Sequence, residues 1–135
     1  MKKCLLCVVA LALVAAFACS SKQTPSGSTS VTRPRSTATL KVLDPKTGEA
    51  LHTRTVVVKL SLTGGTITKE VTTNIKPNIG HIHIRLDGRT ITLLGSLTDP
   101  VPVTPGPHII EAEYVAADHG PFDPRVLSAV SFNVE

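Results

Sequence analysis

The 135-residue chain carries 14 Lys and Arg against 10 Asp and Glu, a net charge of +4. That excess does not make a nucleic-acid surface: Lys2, Lys3, Lys22, Arg33 and Arg35 all precede residue 37, and from there on 9 basic residues stand against 10 acidic ones. With no Trp, one Tyr and three Phe the chain also lacks the aromatic platforms on which bases or sugars stack, and no nucleic-acid partner is expected.

In chain order the first element is a targeting segment. Met1-Lys2-Lys3 is a basic head, and Cys4 to Ala18 is an almost unbroken apolar run ending in small residues. This is the pattern of a bacterial secretory signal over residues 1–18, and it is shorter than the roughly twenty apolar residues of a comfortable membrane span. Ala16-Phe17-Ala18-Cys19-Ser20-Ser21 resembles the lipobox of bacterial lipoproteins. The resemblance implies a diacylglycerol thioether on Cys19, a further acyl chain such as palmitate on its new amino group, and a lipid anchor in the cell membrane or outer membrane. Lipoboxes usually carry a larger aliphatic residue where Ala16 stands. Ala16-x-Ala18 also fits an ordinary signal-peptidase site, which would release a secreted or periplasmic soluble protein.

Residues 19–36 then hold the lipid-attachment Cys and a linker rich in Ser, Thr and Pro. Its residues 20–36 have almost nothing to bury, so the reading is a flexible spacer, with a typical reach of about 20–25 Å. Cys4, Cys7 and Cys19 are the three cysteines, so the expected domain over residues 37–135 has no disulfide available and must be held by burial. Its 99 residues suffice for one core.

From residue 37 the apolar pattern has period two. Leu40 and Val42 begin a short strand that ends in the Asp44-Pro45-Lys46-Thr47-Gly48 turn. Val56, Val58, Leu60 and Leu62 alternate with Val57, Lys59, Ser61 and Thr63 before Gly64-Gly65. Ile82, Ile84 and Leu86 give the next strand an inward face. Asp87-Gly88-Arg89 turns it into a hairpin partner over Thr90 to Leu94. The prolines at 100, 102, 105 and 107 restrict residues 99–107 to an extended edge and a turn. Ile110, Ala112, Tyr114 and Ala116 face in on the following strand, residues 117–125 form a loop, and Val130, Phe132 and Val134 close the last strand. The expectation is an all-β antiparallel sandwich of about seven strands, with Ile84 and Phe132 in its core.

Several segments resemble small exported bacterial immunoglobulin-like domains of unassigned function. They are Pro105-Gly106-Pro107-His108 with its alternating strand to Tyr114, Asp118, and the ending Val130-Ser131-Phe132-Asn133-Val134. Gly80-His81-Ile82-His83 and Asp118-His119-Gly120-Pro121-Phe122-Asp123-Pro124 add to them. The resemblance spans about residues 38–135. It implies an Ig-like fold and says nearly nothing about activity. The buried Trp and inter-sheet disulfide of antibody domains are absent.

His81 and His83, two apart on one strand, point to the same face. In an Ig-like topology the 117–125 loop lies at the same end, so His119 and Asp118 are expected near them. Three imidazoles with a carboxylate would suit copper or zinc. The plainer alternative makes them surface histidines beside a turn stabilised by Asp118. His108, at the opposite end, is expected to be a hydrogen-bonded structural histidine, and His52 has no evident partner. Arg85 is expected to meet Glu111 and Glu113 across strands. No nucleophile elbow, phosphate loop or zinc-protease motif occurs, and no enzymatic activity is expected. The functional expectation is a non-enzymatic, lipid-anchored envelope module that binds or scaffolds an envelope protein or small ligand. The alternative is an exported copper- or zinc-binding protein using His81, His83, His119 and Asp118.

Overall fold

The computed structural model describes residues 32–93 and 96–135, so the stretch read as a targeting segment, Cys19 and most of the stretch read as a spacer lie outside the described residues. All regular structure described is strand: β1 (Thr39–Asp44), β2 (Glu49–Leu51), β3 (Thr55–Thr63), β4 (Thr66–Ile67), β5 (Ile79–Leu86), β6 (Arg89–Leu93), β7 (Thr98–Pro102), β8 (Gly106–Ala116) and β9 (Pro121–Val134). Among the described residues no helix is long and apolar enough to cross a membrane.

β1, β3 and β7 form one sheet in that order. The other runs β2-β9-β8-β5, with β4 and β6 both pairing β5 on its remaining edge. Pairing is antiparallel except for the short β2–β9 and β4–β5 contacts. The alternation read from the sequence sets which faces meet. Val56, Val58 and Leu60 of β3 and Val101 of β7 share one buried cluster with Ile82 and Ile84 of β5, Ile110, Ala112 and Tyr114 of β8, and Phe132 and Val134 of β9. Val57, on the opposite parity of β3, is 46% exposed. Burial of these facing rows, at roughly 25 cal/mol per Å² of apolar surface, is what holds a domain without disulfides together.

Two expectations change. The strand count rises from about seven to nine because β2 and β4 are too short to show a period, while the proline-rich stretch pairs with β3 as the extended edge its prolines indicated. Pro100 and Pro102 are tolerated there, since prolines of an edge strand can aim their missing donors away from the partner. The expected 117–125 loop contracts to a turn over residues 117–120. β9 starts at Pro121, and the β8–β9 register shifts between Tyr114 and Val115. Phe122, read as a loop residue, is buried in the core with its ring centroid 5.1 Å from that of Tyr114.

Gly80 marks the closest approach within the larger sheet. A Cβ there would stand 1.8 Å from the Val115 carbonyl oxygen, so only glycine lets β5 and β8 meet at this point. The next residue is His81.

Candidate functional site

β5 and β8 bring the predicted residues to one end of the larger sheet. His81 pairs in register with Val115, and His83 with Glu113 on one side and Thr92 on the other. β8 then ends in the tight turn that carries Asp118 and His119. His119 adopts φ 62, the left-handed region, which folds its side chain back over β5. As the i, i+2 spacing on a strand requires, His81 and His83 share a face, and the His119 ring lies against both. Its centroid is 4.5 Å from that of His81 and 5.1 Å from that of His83, with interplanar angles of 22° and 23°.

The three imidazoles differ in what their nitrogens do. His81 is fully buried, with Nδ1 2.7 Å from the Thr68 carbonyl oxygen and Nε2 3.2 Å from that of Ala117. It ties the segment after β4 to the turn after β8. His83 Nε2 and His119 Nδ1 share a hydrogen bond of 2.9 Å at the surface. Burial holds the His83 imidazole below the usual histidine range, and the neighbouring His119 and His81 push it the same way.

Asp118 stands one residue away and is turned elsewhere. Arg33 donates to both of its carboxylate oxygens, from Nη1 at 2.6 Å and Nη2 at 2.8 Å. The Asp118 carboxyl is held down to about 2 by that guanidinium. Arg33 Nε also donates to the Pro121 carbonyl at 2.7 Å, and the guanidinium covers the space a side chain at Gly120 would need. Further along, Asp123 N–H donates to the Pro34 carbonyl, and Ser36 and Thr37 bond Asn78. The end of the stretch read as spacer is therefore pinned to the β8–β9 turn. A partnership across 85 residues leaves no local pattern by which sequence reasoning would have found Arg33. Among the described residues no three His, Cys, Asp or Glu side chains are arranged to hold one metal ion.

The opposite end repeats the residue types with different wiring. His108 Nδ1 is 2.7 Å from Asp87 Oδ2, and Nε2 is 2.7 Å from the Thr104 carbonyl oxygen, a structural role as its position implied. The Thr104 carbonyl and then the Asp87 carboxylate hold the His108 imidazole above the usual range. Burial opposes ionisation of Asp87. The Ile109 N–H and His108 outweigh it, so the carboxyl lies below its ordinary value. His52, which showed no partner in the sequence, lies 3.4 Å from the Glu135 carboxylate at the surface.

A third polar group sits mid-sheet. Arg85 bonds Glu111 and Glu113 as the outward parity predicts. Arg125 of β9 then closes over Glu113 with bonds of 2.7 and 2.6 Å, leaving that carboxylate 2% exposed. Burial pushes the Glu113 carboxyl up, but the two guanidinium groups prevail and lower it. Neither side chain from β5 and β9 is free to bind a substrate. Compared with protein-family models, curated proteins and solved structures, the chain matches none.

Proposed function

We infer that the protein is a lipid-anchored module of the bacterial envelope: exported by residues 1–18, acylated at Cys19, and carrying an Ig-like sandwich that binds or scaffolds without catalysis. The strand order supports the Ig-like reading. β1-β3-β7 and β9-β8-β5 follow the arrangement of first, second and fifth strands against last, penultimate and third strands in such domains, with β2 added in parallel to β9 and with β4 and β6 beside β5. The observation that carries the functional reading is the docking of Arg33 on Asp118. Arg33 and the residues just after it are fastened at one end of the sandwich, which leaves the opposite end free of that contact.

That free end gathers the Pro45–Gly48, Asp87–Gly88 and Thr104–Gly106 connections. Two open grooves of about 440 and 560 Å³ lie on either side of the Asp87–His108 pair. Ile109, 56% exposed, borders the larger. Concavities with an apolar lining and a few fixed polar groups suit an envelope protein or a small ligand. The test starts at the anchor. Cells expressing the protein are labelled with a palmitate analogue and fractionated. Labelled protein in the membrane fraction, and unlabelled soluble protein from Cys19→Ser, is the expected result, since stable attachment takes two acyl chains or more. Unlabelled, soluble wild-type protein overturns the anchor.

A further inference from the structure

We propose that His83 and His119 form a surface site for a divalent transition-metal ion, Cu(II) in first place, with His81 as the buried brace that positions His119. Of the five histidines, His108 has both ring nitrogens committed, His81 faces backbone carbonyls with both of its own, and His52 stands exposed beside a carboxylate. Only His83 and His119 turn imidazole nitrogens toward each other, Nε2 to Nδ1 at 2.9 Å. A hydrogen bond at that distance needs one lone pair and one proton. For a metal ion to take both lone pairs, the donor ring shifts to its other tautomer, its proton passing through solvent to its far nitrogen.

The spacing selects among ions. With metal–nitrogen distances of about 2.0 Å, two ligands at a right angle stand about 2.8 Å apart, and two at a tetrahedral angle about 3.3 Å. The observed 2.9 Å fits neighbouring corners of a tetragonal site, the geometry Cu(II) prefers, and Cu(II) also leads the affinity order for nitrogen ligands. Binding then needs a rotation of the His119 ring, not a movement of strands. His119 lies on the exposed turn, and His83 is only partly buried, so water reaches the remaining positions.

The surroundings hold this pair in place and keep competing charges occupied. His83 is fixed by β5 between two paired strands. The backbone of His119 is held by its left-handed conformation and by the Asp118–Arg33 bonds that stiffen its turn, while its exposed ring rests on His81 and turns about its own side-chain bonds. Arg33, the cation nearest the turn, is neutralised by Asp118, and Arg85 by Glu111 and Glu113. Asp118 and His81, expected from sequence as ligands, act here as supports for the two that coordinate.

The experiment titrates Cu(II) into the full chain with its cysteine thiols alkylated, by calorimetry and by electron paramagnetic resonance. The expected result is one saturable site per chain and a tetragonal spectrum with coupling from two nitrogens. His83→Gln and His119→Asn should each weaken binding at least ten-fold. Asn tolerates the left-handed backbone at 119, so an unchanged melting temperature separates ligand loss from unfolding. His52→Ala should leave the affinity unchanged, and Zn(II) should bind at least ten-fold more weakly than Cu(II). The site is refuted by a Kd weaker than 100 µM, by binding indifferent to His83→Gln, or by loss of binding in His52→Ala. Tighter Zn(II) than Cu(II) binding overturns the tetragonal assignment.

Discussion

The two ends of the larger sheet use the same residues to opposite effect. Each has a histidine at a strand end and an aspartate in or beside a turn with a left-handed residue, Asp87 itself at one end and His119 at the other. At the far end the Thr104 carbonyl and the aspartate both bond the histidine, so His108 is held above its ordinary value and acts as a fixed cross-link between the β5–β6 turn and the β7–β8 connection. At the near end Arg33 takes the aspartate. The His83 and His119 imidazoles are left to one another, and burial with the repulsion of the neighbouring histidines holds His83 low. A histidine's role here follows from where its neighbouring carboxylate is bonded, not from its own place in the fold.

The strongest ways to break the comparison strike the packing behind each end. Behind the far end, Phe132 is buried with its centroid 5.5 Å from that of His108. Phe132→Ala should cost about 3–5 kcal/mol by deleting a packed aromatic ring. Chemical denaturation checks this, and an unchanged midpoint would refute the inward parity of β9. Behind the near end, Gly80→Ala should cost about 3 kcal/mol, because its methyl group meets the Val115 carbonyl at 1.8 Å and β5 must shift from β8. It should also separate His81 from its two carbonyls, which nitrogen-15 shifts of the imidazole will report. Stability within about 0.5 kcal/mol of wild type would mean that the two strands are not this close.

A smaller effect, about 1 kcal/mol once surface screening is allowed for, is expected from Asp87→Asn. Asn keeps the left-handed turn and removes the charge facing His108. The sign follows from the two shifts. His108, held high when folded, contributes stability that is complete below about pH 6.5 and is lost as pH rises through its elevated folded value. Asp87, held low, contributes stability that is present above about pH 3.9 and is lost as pH falls through its lowered value. The melting-temperature difference between wild type and Asp87→Asn should therefore be widest between about pH 4 and 6.5 and narrow on both sides. A difference that stays flat from pH 4 to 9 would refute the His108–Asp87 pair.

Much of the far end and the core was legible because period two is a local signal. Ile82, Ile84, Ile110, Ala112 and Tyr114 lie inward as their alternation required, and the hairpin turn falls at Asp87-Gly88, with Arg89, read as its third residue, already in β6. The meeting of His81, His83 and His119 was legible too, from spacing on a strand plus the placement of one turn. What escaped was long-range and polar. Outward parity put His81 and Glu113 on the solvent face, yet both are buried, one beneath a turn and a short strand extension, the other beneath two arginines. Parity says which side a residue faces, and says nothing of what later covers that side. Phe122 was hidden similarly, since Pro121 and Pro124 around it read as loop while the outer edge of β9 tolerates them.

The smallest expected effect sharpens the comparison most, because it concerns the contact that makes the near end different. Arg33 and Asp118 keep about a fifth of their side-chain surface exposed, so the pair should be worth only a few tenths to about 1 kcal/mol at neutral pH. Arg33→Ala should lower stability by that amount, and less at high salt, where screening weakens a partly exposed pair. Asp118 is held near 2, below its unfolded value of about 3.9. Its contribution is therefore present above about pH 3.9 and disappears as pH falls through 2, so wild type and variant should converge in acid. Hydrogen exchange gives the local reading: amides of Gly120 and Asp123, which donate to Asp118 and to the Pro34 carbonyl, should exchange faster in Arg33→Ala while those of β8 do not change. Unaltered exchange at both amides would mean that the arriving segment is not fastened to the turn, and the near end would then be as free as the far one.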